Sequence, residues 1–141
     1  MSPRAKRQPR SFRLGAGLIG DLEARARDAG STMTELVDRY LAEGLRRDEH
    51  PLIVFRDGAA GRRPSLVGTR LDVWQVIESV RAAEGSTDEA ADYLDIPEPH
   101  VRACVRYYAA YKREVDEWAR RMRRAAERAE EAWRREQAVL A

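Results

Sequence analysis

Ser11 and Arg13 stand two residues apart in the short run Arg10-Ser11-Phe12-Arg13-Leu14. In a strand that spacing puts both side chains on one face. A hydroxyl and a guanidinium presented together can read base edges in the major groove of DNA, arginine favouring guanine. Strict alternation places Arg10 on the other face, with phosphate or solvent as its expected contact. Thr32, Met33 and Thr34 open a helix whose first amides, unsatisfied within the helix, form a natural phosphate site. Far along the chain, Trp118, Met122 and Trp133 are the candidate protein contacts, Trp being enriched among residues that dominate interface energy. Arg120 and Arg124, within a cluster of four arginines, suit an acidic site on a partner. Each set has a plainer counterpart: a solvated strand face, ordinary capping, packing within the chain, a solvated charge run.

Catalytic chemistry has no comparable footprint. His50 and His100 lack Cys or His companions at metal-ligand spacing. No phosphate loop, nucleophile elbow or paired catalytic carboxylate occurs. Cys104, spaced with Val101, Val105 and Tyr108 as a core residue, is expected to be buried and inert. No metal, cofactor or enzymatic activity is expected.

The bulk composition bounds the partners. The chain has 141 residues, 35% of them charged and 7% aromatic, with a net charge of +2, so any core is modest. The first 14 residues carry Arg4, Lys6, Arg7, Arg10 and Arg13 and no acidic residue, the electrostatic footprint of a DNA binder or of a disordered tail. One cysteine excludes an internal disulfide and suits a reducing compartment. No apolar run reaches the roughly 18 residues that span a bilayer, and no signal-peptide core follows the basic start. A cytoplasmic location away from membranes is expected.

The elements that must hold these residues follow from periodicity. Residues 1–9 read as a flexible basic arm. A lone strand over residues 10–14 leaves its backbone groups unpaired, so its expected partner is the same strand of a second copy, with Phe12 and Leu14 facing inward. A helix from about Leu18 to Asp28 carries Leu18, Ile19, Leu22 and Ala26 on one face, and Gly30 ends it. Thr32-Met33-Thr34-Glu35 reads as a capping box opening a helix from Met33 to about Arg46, with Leu36, Val37, Tyr40, Leu41 and Leu45 apolar. Strand, helix, turn and capped helix over residues 10–47 resemble the ribbon-helix-helix (CopG/Arc-like) family of bacterial repressors. The resemblance implies a DNA-binding homodimer, or a larger homo-oligomer.

Residues 48–51 read as a linker. Leu52-Ile53-Val54-Phe55 is strand-like, and Asp57-Gly58 signals a turn. Ser65 to Val73 reads as a strand, a tight turn and a helix cap at Asp72. A helix from Val73 to Ala83 stops at Gly85, and Ser86-Thr87-Asp88-Glu89 caps the next. Pro99 suits the first turn of another helix. Phe55-Arg56-Asp57, Gly61, Pro64, the run Val67-Gly68-Thr69-Arg70-Leu71-Asp72-Val73 and the stretch Ser86 to Val105 resemble the family called domain of unknown function 433. That resemblance implies a winged or helix-turn-helix-like module over residues 52–110, of a kind that occurs in antitoxins. Ser65 departs from the family, which more often has an apolar residue there. His100, Arg102 and Arg106 on the last helix mark a second DNA reader or a packing module, the latter favoured because fold alone does not establish function. Arg70 is expected as a structural ion-pair partner.

Residues 111–141 contain neither glycine nor proline and can continue the preceding helix unbroken. Tyr111, Val115, Trp118, Met122, Ala125, Ala129, Trp133 and Leu140 make one apolar stripe among arginines and glutamates. The expected fold is therefore mainly α with short β elements (α+β): a ribbon-helix-helix dimer, a β-hairpin with a helix-turn-helix-like module, and a long C-terminal helix. Together these resemble a VapB-like type II antitoxin. The resemblance implies binding to operator DNA and neutralisation of a PIN-like ribonuclease toxin, whose acidic pocket an arginine of the tail would enter. The alternative is a stand-alone ribbon-helix-helix repressor whose C-terminal part only oligomerises.

Overall fold

The computed structural model describes residues 7–58 and 60–141. Six helices and one hairpin follow in order: α1 (Ala16–Asp28), α2 (Met33–Glu49), β1 (Ile53–Gly58), β2 (Gly61–Leu66), α3 (Val73–Ala82), α4 (Thr87–Leu94), α5 (Glu98–Ala110) and α6 (Lys112–Leu140). Mainly helical with one antiparallel hairpin is the expected α+β class. The chain divides into two compact units, Met1–Ala42 and Glu43–Ala141. The division falls inside α2 and ahead of the expected linker, because α2 continues helical through Arg46, Arg47 and Asp48 to Glu49.

In the first unit the expected strand over residues 10–14 is not formed: residues 7–15 carry no regular secondary structure. A ladder needs a second strand, and the one expected belongs to another copy. Of the expected arm, residues 1–6 lie outside the described residues. Helix α1 begins at Ala16, two residues earlier than its apolar period indicated, and so takes in Gly17 and Gly20. The turn after it goes as its sequence dictates, Gly30 adopting φ 60°. The capping box at α2 forms, with the Glu35 amide donating to Thr32 Oγ1 at 3.1 Å and the Thr32 amide facing Glu35 Oε2 at 3.5 Å. Among the described residues Leu22, Ala26 and Leu36 are buried between the helices, with Met33 and Val37 packed partly against them.

The second unit has a larger interior. Strands β1 and β2 pair antiparallel, Ile53 opposite Leu66, Phe55 opposite Pro64 and Gly58 opposite Gly61. Pro64 donates no ladder hydrogen bond, which a two-stranded sheet tolerates because both strands are edges. Ile53, Leu66, Val73, Val76, Ile77, Ala90, Ala91, Val101, Cys104, Tyr107 and Val115 form one buried cluster. Asp72 caps α3, its own amide donating to Gln75 Oε1 at 2.9 Å. Ser86 Oγ accepts from the Glu89 amide at 3.2 Å at the start of α4. These caps and the left-handed Gly85, at φ 87°, place the helix ends where the sequence put them.

The unbroken helix expected from α5 onward is interrupted. Tyr111 leaves helical geometry at φ −129°, ψ 40°. No local residue type causes this. The break is held by tertiary contacts: the Arg46 guanidinium lies 4.0 Å from the Tyr111 ring centre and pairs with Glu114 at 2.6 and 2.9 Å, while Val115 is buried in the core.

Candidate nucleic-acid and partner interfaces

Of the apolar residues in the first unit, more are left outside than inside. Phe12 is 77% exposed, Leu14 44%, Leu18 52% and Leu41 58%, and Ile19 and Tyr40 are exposed with them. Phe12, Leu14, Leu18, Leu22, Val37, Tyr40 and Leu41 line one open groove of about 430 Å³. Phe12 and Leu14 thus stand at the rim of the helix pair while remaining exposed, and without a strand there is no alternation. Arg13 also lines this groove and does not follow the alternation that would set it beside Ser11 on the opposite side. Ser11 is exposed, and Arg10 donates to Gln8 Oε1 at 3.2 Å.

A second groove of about 570 Å³ brings Arg7, Gln8 and Pro9 together with Met33, Thr34, Val37, Asp38 and Leu41. It sets the Arg7 cation near the opening turn of α2, where free amides and the helix dipole favour an anion. Two of the three expected phosphate-site residues, Met33 and Thr34, line it. Thr32 is engaged in the capping box. The Glu35 carboxylate, held by Ser31 Oγ at 3.2 Å, stands at the same helix end and opposes a bound phosphate. The sequence marked Arg7 as part of the basic arm but not as a neighbour of the α2 opening turn, which its fold position supplies.

In the second unit the hairpin and α3 enclose a polar centre. Asp72 is 4% exposed and Ser65 fully buried. Ser65 Oγ donates to Asp72 Oδ1 at 2.8 Å, Trp74 Nε1 donates to Asp72 Oδ2 at 3.2 Å, and Arg63 Nε stands 2.7 Å from the same oxygen. The polar residue at 65 thus has a partner that an apolar one would lack. The cation at this carboxylate is Arg63; Arg70, expected as the ion-pair residue, is exposed and has no ion pair among the described residues. The interior also holds the Cys104 thiol, pushed up to about 12 by burial, as an unreactive core residue should be. Burial likewise pushes the Tyr107 hydroxyl up to about 12, although it accepts from Arg46 at 3.1 Å. Arg46 is held firmly protonated, chiefly by its hydrogen bonds to Glu114. On α5, Arg102 pairs with Glu98, Arg106 is exposed, and His100 is half-buried.

Helix α6 divides the expected partner-binding residues between two places. Val115 and Ala119 are buried and Met122 half-buried. Trp118 is half-buried over Gly61, where a Cβ would stand 3.1 Å from its ring. Arg123 pairs with Glu78 of α3. Trp133, in contrast, is 58% exposed, with Val139 and Leu140 more so. Arg120 and Arg124 are exposed, but at 100° per residue Arg124 points about 180° away from Trp133 and Arg120 about 140°. One flat contact cannot use both. The arithmetic was available from sequence once helix was assigned.

Among the described residues no group of His, Cys, Asp and Glu is placed to hold a metal ion, and no helix is long and apolar enough to cross a membrane. Residues 53–108 match the family model described as Protein of unknown function (DUF433). The match covers the hairpin, α3, α4 and most of α5, and stops short of α6. No curated protein and no solved structure matches the chain.

Proposed function

We propose that the chain is the DNA-binding antitoxin of a bacterial type II toxin–antitoxin pair. Two copies join through the apolar groove of the first unit, pairing residues 10–14 into a ribbon that enters the major groove of operator DNA. Ser11 and Arg13 contact bases; Arg7, Arg10 and the α2 opening turn contact phosphates. The distal part of α6, carrying Trp133, captures a PIN-like ribonuclease toxin. The complex represses its own promoter because one chain carries both surfaces.

The observation that supports this reading is the imbalance in the first unit, where three residues are buried and a row of larger apolar residues lines an open groove. A core that small does not stabilise a unit of this size alone. A segment beside it without regular secondary structure leaves backbone groups that a second copy could pair.

Gel shift on a fragment of the chain's own upstream region tests the DNA half. Arg13→Ala and Ser11→Ala each lose roughly 1–3 kcal/mol of discrimination if they read bases. Wild-type binding weakens linearly in log salt in proportion to the phosphates neutralised. Co-expression with the product of the adjacent gene tests the toxin half. Retention of full affinity by Arg13→Ala, or binding that ignores salt, sinks the ribbon; failure of an adjacent nuclease to co-purify sinks the antitoxin role.

A further inference from the structure

Arg123 is the last residue of α6 to pair with another element among the described residues. From there to Leu140 the helix runs on for about 25 Å at 1.5 Å per residue. A polar helix without tertiary support is marginal in water, so the composition of this part indicates what covers it. Met122, Ala125, Ala129, Ala132 and Val139 follow heptad spacing, with Glu136 at the one charged position of the series and Ala126, Trp133 and Leu140 beside them. Arg121, Arg128 and Arg135 run seven apart along one edge of that stripe. Arg121 is partly neutralised by Glu117 at 2.9 Å; Arg128 and Arg135 are exposed and have no ion pair among the described residues.

That edge discriminates between occupants. Antiparallel pairing of two copies of α6 sets the arginine row against itself. Parallel pairing sets it against Ala126, Trp133 and Leu140, which offer no carboxylate, and brings the two Glu136 carboxylates together in the seam. Edge charges fix partner choice in helix pairs, and like charges there are unfavourable. We infer that the distal stripe of α6 docks against an apolar surface of a different protein whose flank is acidic, and that Arg128 and Arg135, not Arg120 and Arg124, make the charged contacts. This deepens the partner role proposed for α6 and is independent of the DNA reading.

The probe is a synthetic peptide of about four heptads, long enough to be helical when paired, with Leu at a and d and Glu at e and g. Its Lys counterpart is the control, and both are titrated into the full-length protein by calorimetry. The Glu peptide binds and the Lys peptide binds several-fold more weakly or not at all. Arg128→Glu with Arg135→Glu reverses that preference, shifting the ratio by about three- to tenfold or more, whereas Arg120→Glu with Arg124→Glu leaves it in place. Trp133→Ala weakens both peptides alike. Equal binding of the two peptides, binding of neither, or a preference that follows Arg120 and Arg124 overturns the inference. So does efficient disulfide formation between two Trp133→Cys chains, whose native Cys104 is buried, because it would show a second copy on the stripe. Gel shift stays unaffected by all of these variants, so failure here is separable from failure of the DNA reading.

Discussion

The two units handle apolar surface in opposite ways. Residues 43–141 enclose eleven core side chains, including Tyr107 and Val115, around a polar centre where Ser65 and Trp74 hydrogen-bond Asp72 and Arg63 pairs with it. Residues 7–42 bury Leu22, Ala26 and Leu36 and leave Phe12, Leu14, Leu18, Ile19, Tyr40 and Leu41 in the open. A unit whose interior is complete in one chain is stable by itself. A unit whose interior is incomplete derives its stability from a partner, and its stability then depends on concentration. The difference is why the proposed self-association is assigned to the first unit, while the core of the second is packed within one chain.

The sharpest way to break the comparison is at Asp72. Asp72→Ala removes the acceptor of Ser65 and Trp74 and the carboxylate that pairs with Arg63, and breaking a buried charged pair costs about 3–5 kcal/mol. Denaturant unfolding should lose that much from the second unit at any protein concentration. In the first unit, Leu36→Ala should cost about 2–5 kcal/mol. The proposed dimerisation would be linked to that folding, so its unfolding midpoint should also move with concentration, and a concentration-independent midpoint would contradict the account. Amide exchange gives the same contrast without mutation: dilution should speed exchange in α1 while α3 and α5 hold their protection.

A smaller effect comes from pH. Cys104 and Tyr107 both have folded values raised to about 12 by burial, from ordinary values near 9 and 10. Their neutral forms are the ones the folded core favours. The stability they contribute is complete below the ordinary values and is lost as pH rises from about 9 to about 12. Circular dichroism of the second unit should show alkaline unfolding in that window, and Cys104→Ala should flatten the decline. Smallest of all, Arg124→Ala should change stability by no more than about 0.5 kcal/mol, since its side chain is exposed and unpaired among the described residues.

Local punctuation was legible in the sequence. Thr32, Asp72 and Ser86 cap helices, and Gly30 and Gly85 take left-handed turns where their residue types suit them. The hairpin was legible only in part: the run Leu52 to Phe55 marks β1, but Asp57-Gly58, read as the turn, lies within β1 opposite Arg62 and Gly61, and β2 begins at Gly61 rather than Ser65. What escaped reading depends on contacts between distant residues. Tyr111 ends α5 because Arg46, Glu114 and the buried Val115 hold it there, and nothing in Tyr107 to Arg113 announces a break. Arg63 rather than Arg70 serves Asp72 because the register of β1 and β2 brings it there. The far end of α2 extends past Arg46 because that residue, with Glu43 and His50, has partners on β2 and α5. At the candidate sites, the placing of Phe12 and Leu14 beside α1 and α2 was legible from their apolar type, but the alternation was not formed, since Arg13 lines the same groove. The position of Arg13 was not legible, since a lone segment has no ladder to enforce it.

The central claim is that residues 10–14 of two copies pair with each other. Isotope-filtered NOE spectroscopy on a mixed sample of labelled and unlabelled chains tests it most directly. The account predicts cross-chain contacts between backbone protons of residues 10–14, together with Phe12 and Leu14 contacts to Tyr40 and Leu41. An absence of cross-chain contacts in that segment, from a protein that sediments as a monomer at the same concentration, would contradict it.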